Sequence, residues 1–399
     1  MTILAGKIGG RSKLALFSHG FNGEKELIKK LIAESETFPT KKYEIEGENG
    51  EKILDTQRMI DDFLQKEYYR QEDRYGTGIE KNILVACFSV SGPVGGSKDN
   101  RTTTISRPDL DLKITFNELD FKDKLPFPGL RVSFLNYMVA IGKKIFLAED
   151  EAESKVLYEG NKETDSQNDR VIMLVGDGLG QAYSYWDNKK KALLHKSSEG
   201  GHSLFAPRNE SEGELWSYLL KERRQVISYE YVLSKSGLVR IYEFIKSTNR
   251  YGKESGELRE RLTQDNTDPS PIIDQAINHS DDLADAALNM FIRIMGARAG
   301  DLALTYEAKG GIYVGGVPIP EEKYNIFKEA FLDKEHKFRQ YNEAIPVYVY
   351  KYESSVLWGA ASHAVDAGFV YDAKSAHRRR ERQREQRAGI DPKINRGYS

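Results

Sequence analysis

Three glycine clusters stand where apolar, strand-like runs end, and they constrain the fold more than any other feature of the chain. They are Gly9-Gly10, the alternating Gly176, Gly178 and Gly180, and Gly310-Gly311 with Gly315-Gly316. The middle cluster is the sharpest. Arg170-Val171-Ile172-Met173-Leu174-Val175 reads as a buried strand and passes directly into Gly176-Asp177-Gly178-Leu179-Gly180. Glycine lets backbone amides approach phosphate oxygens, so such turns point to a nucleotide cleft. At the first cluster, Ile3-Leu4-Ala5-Gly6 and Lys13-Leu14-Ala15-Leu16-Phe17 read as the two arms of a β-hairpin.

Further strands are expected at 82–88, 131–135, 311–316 and 346–350. Helices are expected at 51–70, 136–146, 210–224, 230–247, 271–304 and from Ser355 to about Ala367. Residues 148–170, rich in Glu, Asp, Lys, Ser and Asn, read as an exposed connection. No repeat with a period of roughly 20–50 residues is visible. Strand-then-helix blocks with glycine turns predict an α/β protein of two domains facing a cleft. The expected small domain covers 1–146 and is completed by a helix near 355–372; the large domain covers 147–354; an Arg-rich extension covers 373–399.

Composition narrows the classes. The 399 residues are 39% hydrophobic and 30% charged, which excludes collagen-like and wholly disordered chains. No apolar run approaches the roughly 20 residues that span a bilayer. The N-terminus Met1 to Gly6 reads as neither a signal nor a transit peptide, so the expected compartment is the cytoplasm, with a mitochondrial or axonemal assembly left open. Cys87 is the only cysteine, which excludes an intramolecular disulfide and a multi-cysteine zinc site. No metal site is expected. Residues 373–399 carry a formal charge of +6, leaving −8 on the rest of a chain whose total is −2. An acidic body does not favour nucleic acid. The tail, with Arg378, Arg379, Arg380, Arg382, Arg384 and Arg387, is expected to dock on an acidic protein partner.

One stretch is more specific. Glu199-Gly200-Gly201-His202, followed by Phe205-Ala206-Pro207, resembles the signature of the bacterial-type glucokinase family, of the hexokinase/actin-like ATPase fold. Ile227-Ser228-Tyr229-Glu230-Tyr231-Val232-Leu233-Ser234-Lys235-Ser236-Gly237-Leu238 resembles a second family segment, and Gly300-Asp301-Leu302-Ala303-Leu304 and Gly310 to Gly316 follow in the family's order. The resemblance covers roughly residues 2–370 and implies a sugar pocket formed by Asn136, Glu199, His202 and Glu230. It also implies nucleotide loops at Gly9, Gly10, Gly176, Gly178, Gly180, Gly315 and Gly316.

The chain departs from the family pattern at three places. Tyr137 follows Asn136 where the family carries its aspartate base, and a phenol of pKa about 10 is a poor base at neutral pH. Lys7 stands where the first loop carries an aspartate, and Asp177 where the second carries a threonine. These departures lead to the expectation of a catalytically inactive, pseudokinase-like protein, serving as a structural or interaction subunit of a larger assembly and needing no cofactor. The alternatives are an active or altered glucokinase, with ATP and Mg, and a sugar or nucleotide sensor.

Overall fold

A computed structural model describes residues 2–22, 25–47, 50, 52–75, 83–97, 100–107, 112–123, 125, 130–146, 154–161, 165, 167–223, 225–252, 254–264, 268–351, 355–366, 375 and 378. The chain divides into two compact units, Met1–Ile145 with the segment from Glu353 onward, and Phe146–Tyr352. The arginine run expected to dock on a partner falls outside the described residues, apart from Arg378. No helix among the described residues is long and apolar enough to cross a membrane.

The first unit contains β1 (Thr2–Ile8), β2 (Arg11–Asn22), β3 (Lys25–Glu34), β4 (Phe38–Pro39), β5 (Glu44–Glu46), β6 (Lys52–Leu54), α1 (Thr56–Tyr75) and β7 (Ile83–Val90). It continues with β8 (Val94–Ser97), β9 (Asn100–Arg107), β10 (Leu112–Asn117), α2 (Glu118–Asp123), β11 (Arg131–Asn136) and α3 (Tyr137–Ile145). The main sheet has the order β11-β7-β1-β2-β3, with β4 added to β2. β1, β7 and β11 run parallel, and β2 and β3 return antiparallel. Ile3, Leu4 and Ala5 of β1 are all fully buried, as befits a central strand covered on both faces. Phe88, Phe116, Phe121 and Phe134 pack against one another within this unit's core.

The second unit contains β12 (Ser154–Tyr158), β13 (Arg170–Val175), β14 (Leu179–Asp187), β15 (Ala192–Ser198), α4 (Glu210–Arg223), α5 (Tyr229–Val232) and α6 (Lys235–Ser247). After these come α7 (Gly256–Gln264), α8 (Ser270–Ile277), α9 (Asp282–Thr305), β16 (Ile312–Gly316), α10 (Tyr324–Leu332), α11 (His336–Glu343) and β17 (Val347–Tyr350). Its sheet has the order β12-β17-β16-β13-β14-β15. The last helix, α12 (Ser355–Asp366), packs in the first unit, where it lies against α3, β1 and β7. A side chain at Gly359 would come within 1.8 Å of the Ala140 carbonyl, so glycine is what lets α12 lie that close to α3.

Four expectations need revision. The helix expected from 51 starts at Thr56, because Lys52–Leu54 first pairs with β5 and Asp55 then accepts the Arg58 N–H at 3.0 Å. The connection at 148–170 contains a strand, β12, on the edge of the second sheet. Only Leu157 of that strand is buried, and the charged sequence on either side of this short run hid it. The helix expected over 230–247 breaks after Val232, where Ser234 caps α6 by accepting the Gly237 N–H at 3.1 Å. The helix over 271–304 breaks at 278–281: His279 takes a left-handed φ of 50°, and Asp281 caps α9 through the Ala284 N–H at 2.9 Å.

Candidate functional site

The candidate residues fall into two groups, one in each unit. In the second unit the turn from β13 to β14 is Gly176-Asp177-Gly178, closed by the Gly176 N–H donating to the Gly178 carbonyl at 2.8 Å. Gly180 lies within β14, opposite Leu174. Gly315 and Gly316 end β16 beside Leu174 and Val175. Gly316 has a φ of +104°, and a side chain there would meet the Val175 carbonyl at 1.9 Å. Both the dihedral and the contact therefore demand glycine. The Asp177 carboxylate is paired with Lys235 at 3.1 Å. The Lys235 N–H donates to the Gly176 carbonyl at 2.8 Å, so the start of α6 sits against this turn.

Glu199, His202 and Glu230 are brought together in the same unit. Glu199 follows β15 and leads into a short 3-10 turn, Gly200–His202. Gly201 is buried there, and a side chain on it would strike the Leu179 carbonyl at 2.2 Å. The strand-like stretch after the turn pairs with the approach to α5. Phe205 N–H donates to Ile227 O, and Tyr229 N–H to Ser203 O, both at 2.9 Å. That pairing carries Glu230, in the first turn of α5, up to His202.

The resulting geometry leaves acceptors open. The His202 ring nitrogens stand 3.8 Å from Glu199 Oε2 and 3.7 Å from Glu230 Oε1, too far for direct hydrogen bonds. Glu230 Oε2 accepts the Leu179 N–H at 3.0 Å, which fixes that carboxylate beside the glycine turn. A side chain on Gly178 would come within 2.6 Å of the same oxygen. Glu199 and His202 are 63% and 60% exposed at the side chain, and Glu230 is 35% exposed. Two carboxylates and an imidazole that do not satisfy one another can accept from and donate to hydroxyl groups of a ligand.

The first unit differs. Both ends of the Asn136 amide are engaged: its Nδ2 donates to the Gly92 carbonyl at 2.9 Å, and its Oδ1 accepts the Met138 N–H at 2.8 Å, capping α3. Tyr137 opens α3, and the Lys7 ammonium lies 5.2 Å from its ring centroid. Gly9 and Gly10 are buried. The Gly9 carbonyl accepts the Thr40 hydroxyl, and the Gly10 carbonyl accepts the Thr40 N–H at 3.2 Å. Sequence reasoning missed Thr40, Lys235 and Arg298, whose guanidinium donates to the Gly200 carbonyl at 2.9 Å. No local pattern around any of the three announces its partner.

Among the described residues no group of three or more His, Cys, Asp or Glu side chains is placed to hold a metal ion.

The glucokinase family model matches residues 9–367. The chain is 30% identical to the glucokinase of Trichormus variabilis over 374 residues, 90% of this chain and 97% of that one. It is 29% identical to the glucokinase of Nostoc sp. over the same shares. Among solved structures, a glucokinase from an Antarctic psychrotroph superposes with a TM-score of 0.63 at 24% identity, covering 90% of this chain and 97% of that one. A ROK family glucokinase from Streptomyces griseus, solved with glucose and AMPPNP, gives 0.55 at 15% identity, over 91% and 98%. These structures share the two-domain α/β fold expected for this chain.

The relatives overturn the expectation of an inactive structural or interaction subunit, and with it the expectation that the chain is not an enzyme. A family model spanning most of the chain, and a glucokinase 30% identical nearly end to end, support the kinase alternative instead. That expectation weighed the departures at Lys7, Tyr137 and Asp177 and gave too little to Glu199, His202 and Glu230, which stand grouped with open acceptors. The mitochondrial and axonemal assemblies lose their ground along with the subunit reading.

Proposed function

The chain belongs to the glucokinase family, and we propose on that footing that it transfers the γ-phosphoryl group of ATP to a hexose. The observation that carries the reading is the grouping of Glu199, His202 and Glu230 around unused hydrogen-bonding capacity, beside a glycine turn. In this reading the two carboxylates accept from hexose hydroxyls, and His202 sets the orientation of the ring.

The residues present suit a nucleotide. Gly176, Gly178 and Gly316 keep backbone free of side chains, and Lys235 offsets the Asp177 carboxylate at the same turn. ATP supplies the phosphoryl group, and a divalent cation travels on its phosphates. The attacking hydroxyl oxygen forms a bond to phosphorus, the bond to the leaving ADP breaks, and the hydroxyl proton passes to solvent water. Tyr137 occupies the position of the family's base, and Lys7 lies over its ring. A missing general base costs about 10²–10⁴ in rate, while positioning and electrostatics supply most phosphoryl-transfer catalysis. The proposed enzyme is therefore an altered, slow glucokinase. As a separate proposal, the arginine run from Arg378 to Arg387 is a docking arm for an acidic protein surface.

The test is a coupled assay with glucose, ATP and Mg²⁺. The expected turnover lies about 10²–10⁴ below the roughly 1–100 s⁻¹ usual for kinases. Glu230→Ala should lower kcat/KM for glucose by about a further 10²-fold, because it removes an acceptor and releases the Leu179 turn. Product formation no faster than in a heat-killed control, across a panel of hexoses, would refute the proposal.

A further inference from the structure

Arg298 lies on α9, far in sequence from the residues proposed to hold the sugar, yet it touches both segments that carry them. Its Nη2 donates to the Gly200 carbonyl at 2.9 Å, and lies 3.2 Å from both Gln181 Oε1 and Ser203 Oγ. Those contacts hold the turn between Glu199 and His202. The same guanidinium lies over the Tyr229 ring, 4.4 Å from its centroid, and Tyr229 immediately precedes Glu230. A side chain on Gly200 would fall 2.4 Å from Gln181 Oε1 and 3.4 Å from Arg298 Nη2, so glycine at 200 is what admits this arrangement. Arg298 forms no ion pair with a carboxylate among the described residues. Its charge is directed at a carbonyl, an amide oxygen, a hydroxyl and a ring.

We infer that Arg298 is a positioning residue for hexose: one side chain sets the spacing between the Glu199–His202 turn and Glu230. The inference rests on the proposed hexose kinase reading and deepens it. Displacing reacting or binding groups by about 1 Å can cost about 10²-fold, so a clamp on two segments at once acts mainly on the ligand that both must meet. The planar guanidinium can stack on Tyr229 and donate at the same time; an ammonium donates but cannot stack in the same way. Arg298→Lys should therefore keep part of the effect, and Arg298→Met none of it.

The experiment measures glucose binding by calorimetry and steady-state kinetics for the wild type, R298M and R298K. R298M should raise both Kd and KM for glucose at least about tenfold, with KM for ATP changed less than about twofold, and R298K should fall between R298M and the wild type. A purely structural role would move both KM values or neither. Glucose affinity in R298M equal to that of the wild type overturns the inference. If R298M does not fold, R298K decides: wild-type affinity for glucose in that variant overturns it as well. A wild type that neither binds nor phosphorylates any hexose defeats the kinase reading itself, and this inference with it. Active wild type with indifferent Arg298 variants defeats the inference alone.

Discussion

The two sheets are built to one plan. In the first unit the order is β11-β7-β1-β2-β3, and in the second β17-β16-β13-β14-β15, each with three parallel strands followed by two antiparallel returns. The turn from β1 to β2 holds Gly9-Gly10, and the equivalent turn from β13 to β14 holds Gly176-Asp177-Gly178. The polar groups around those turns are used differently. In the first unit Gly9, Gly10 and Asn136 are engaged with Thr40, Gly92 and the start of α3. In the second, Glu199 and His202 face solvent at distances too long to satisfy each other. The same scaffold can thus turn its polar atoms on itself or offer them to a ligand. On the proposed hexose kinase reading, the difference places recognition of the sugar in the second unit and the limit on rate in the first.

The strongest way to sharpen that contrast is to alter the first unit alone. Tyr137→Asp introduces a carboxylate beside the Lys7 ammonium and should raise kcat by about 10²-fold, with KM for glucose little changed. A rise confined to KM, or no rise at all, would show that the first unit does not limit the rate.

A smaller effect separates the units by pH. His363 on α12 is half-buried, with its Nε2 shielded from solvent, and this desolvation, reinforced by the nearby Lys143 and Arg101 charges, pushes its pKa down to about 3. The unfolded chain takes up that proton near pH 6.5, so the folded state is disfavoured as pH falls from about 6.5 toward 3, and nothing is lost above that window. The loss is at most about 1.4 kcal/mol per pH unit for one group. Denaturant unfolding at pH 7 and pH 5 should show this acid sensitivity in the first unit's transition, and His363→Gln should flatten it. Parallel acid limbs in the two proteins would remove His363 from the account. Cys87, in the same unit, is wholly buried and its thiol is pushed upward by that burial, so it adds nothing to an acid limb.

The smallest effect is expected from the tail. Truncation after Ala373 removes the arginine run and should leave glucose kinetics and the unfolding midpoint unchanged, while weakening capture of an acidic protein surface at low salt. A truncated protein with altered KM for glucose would mean that the tail contributes to the site.

Much of the site was legible because its constraints are local. The glycine turns announce themselves through residues that no side chain could replace: Gly316 by its positive φ, Gly201 by its contact with Leu179. Glu199, His202 and Glu230 were found through the signature stretches that contain them. Asn136 was legible as a residue but not in its duty, since capping α3 and holding Gly92 depend on where β11 ends. Asp177 read as a loss for phosphate binding; its pairing with Lys235, 58 residues further on, was invisible until the chain had folded.

The amino-acid order by itself determined the β13–turn–β14 element, the buried strands and the carboxylate and imidazole groups, because chain sterics and apolar runs act over a few residues. Tertiary structure alone decided that two halves without a visible repeat share one sheet plan. It also decided that β12 joins the edge of a sheet despite its charged flanks, and that Thr40 closes the first glycine turn. It alone placed Arg298 beneath Gly200, 98 residues away. Such partners meet only after long loops have closed, and the free energy that holds them comes from burying the rest of the core rather than from any pattern near the residues themselves.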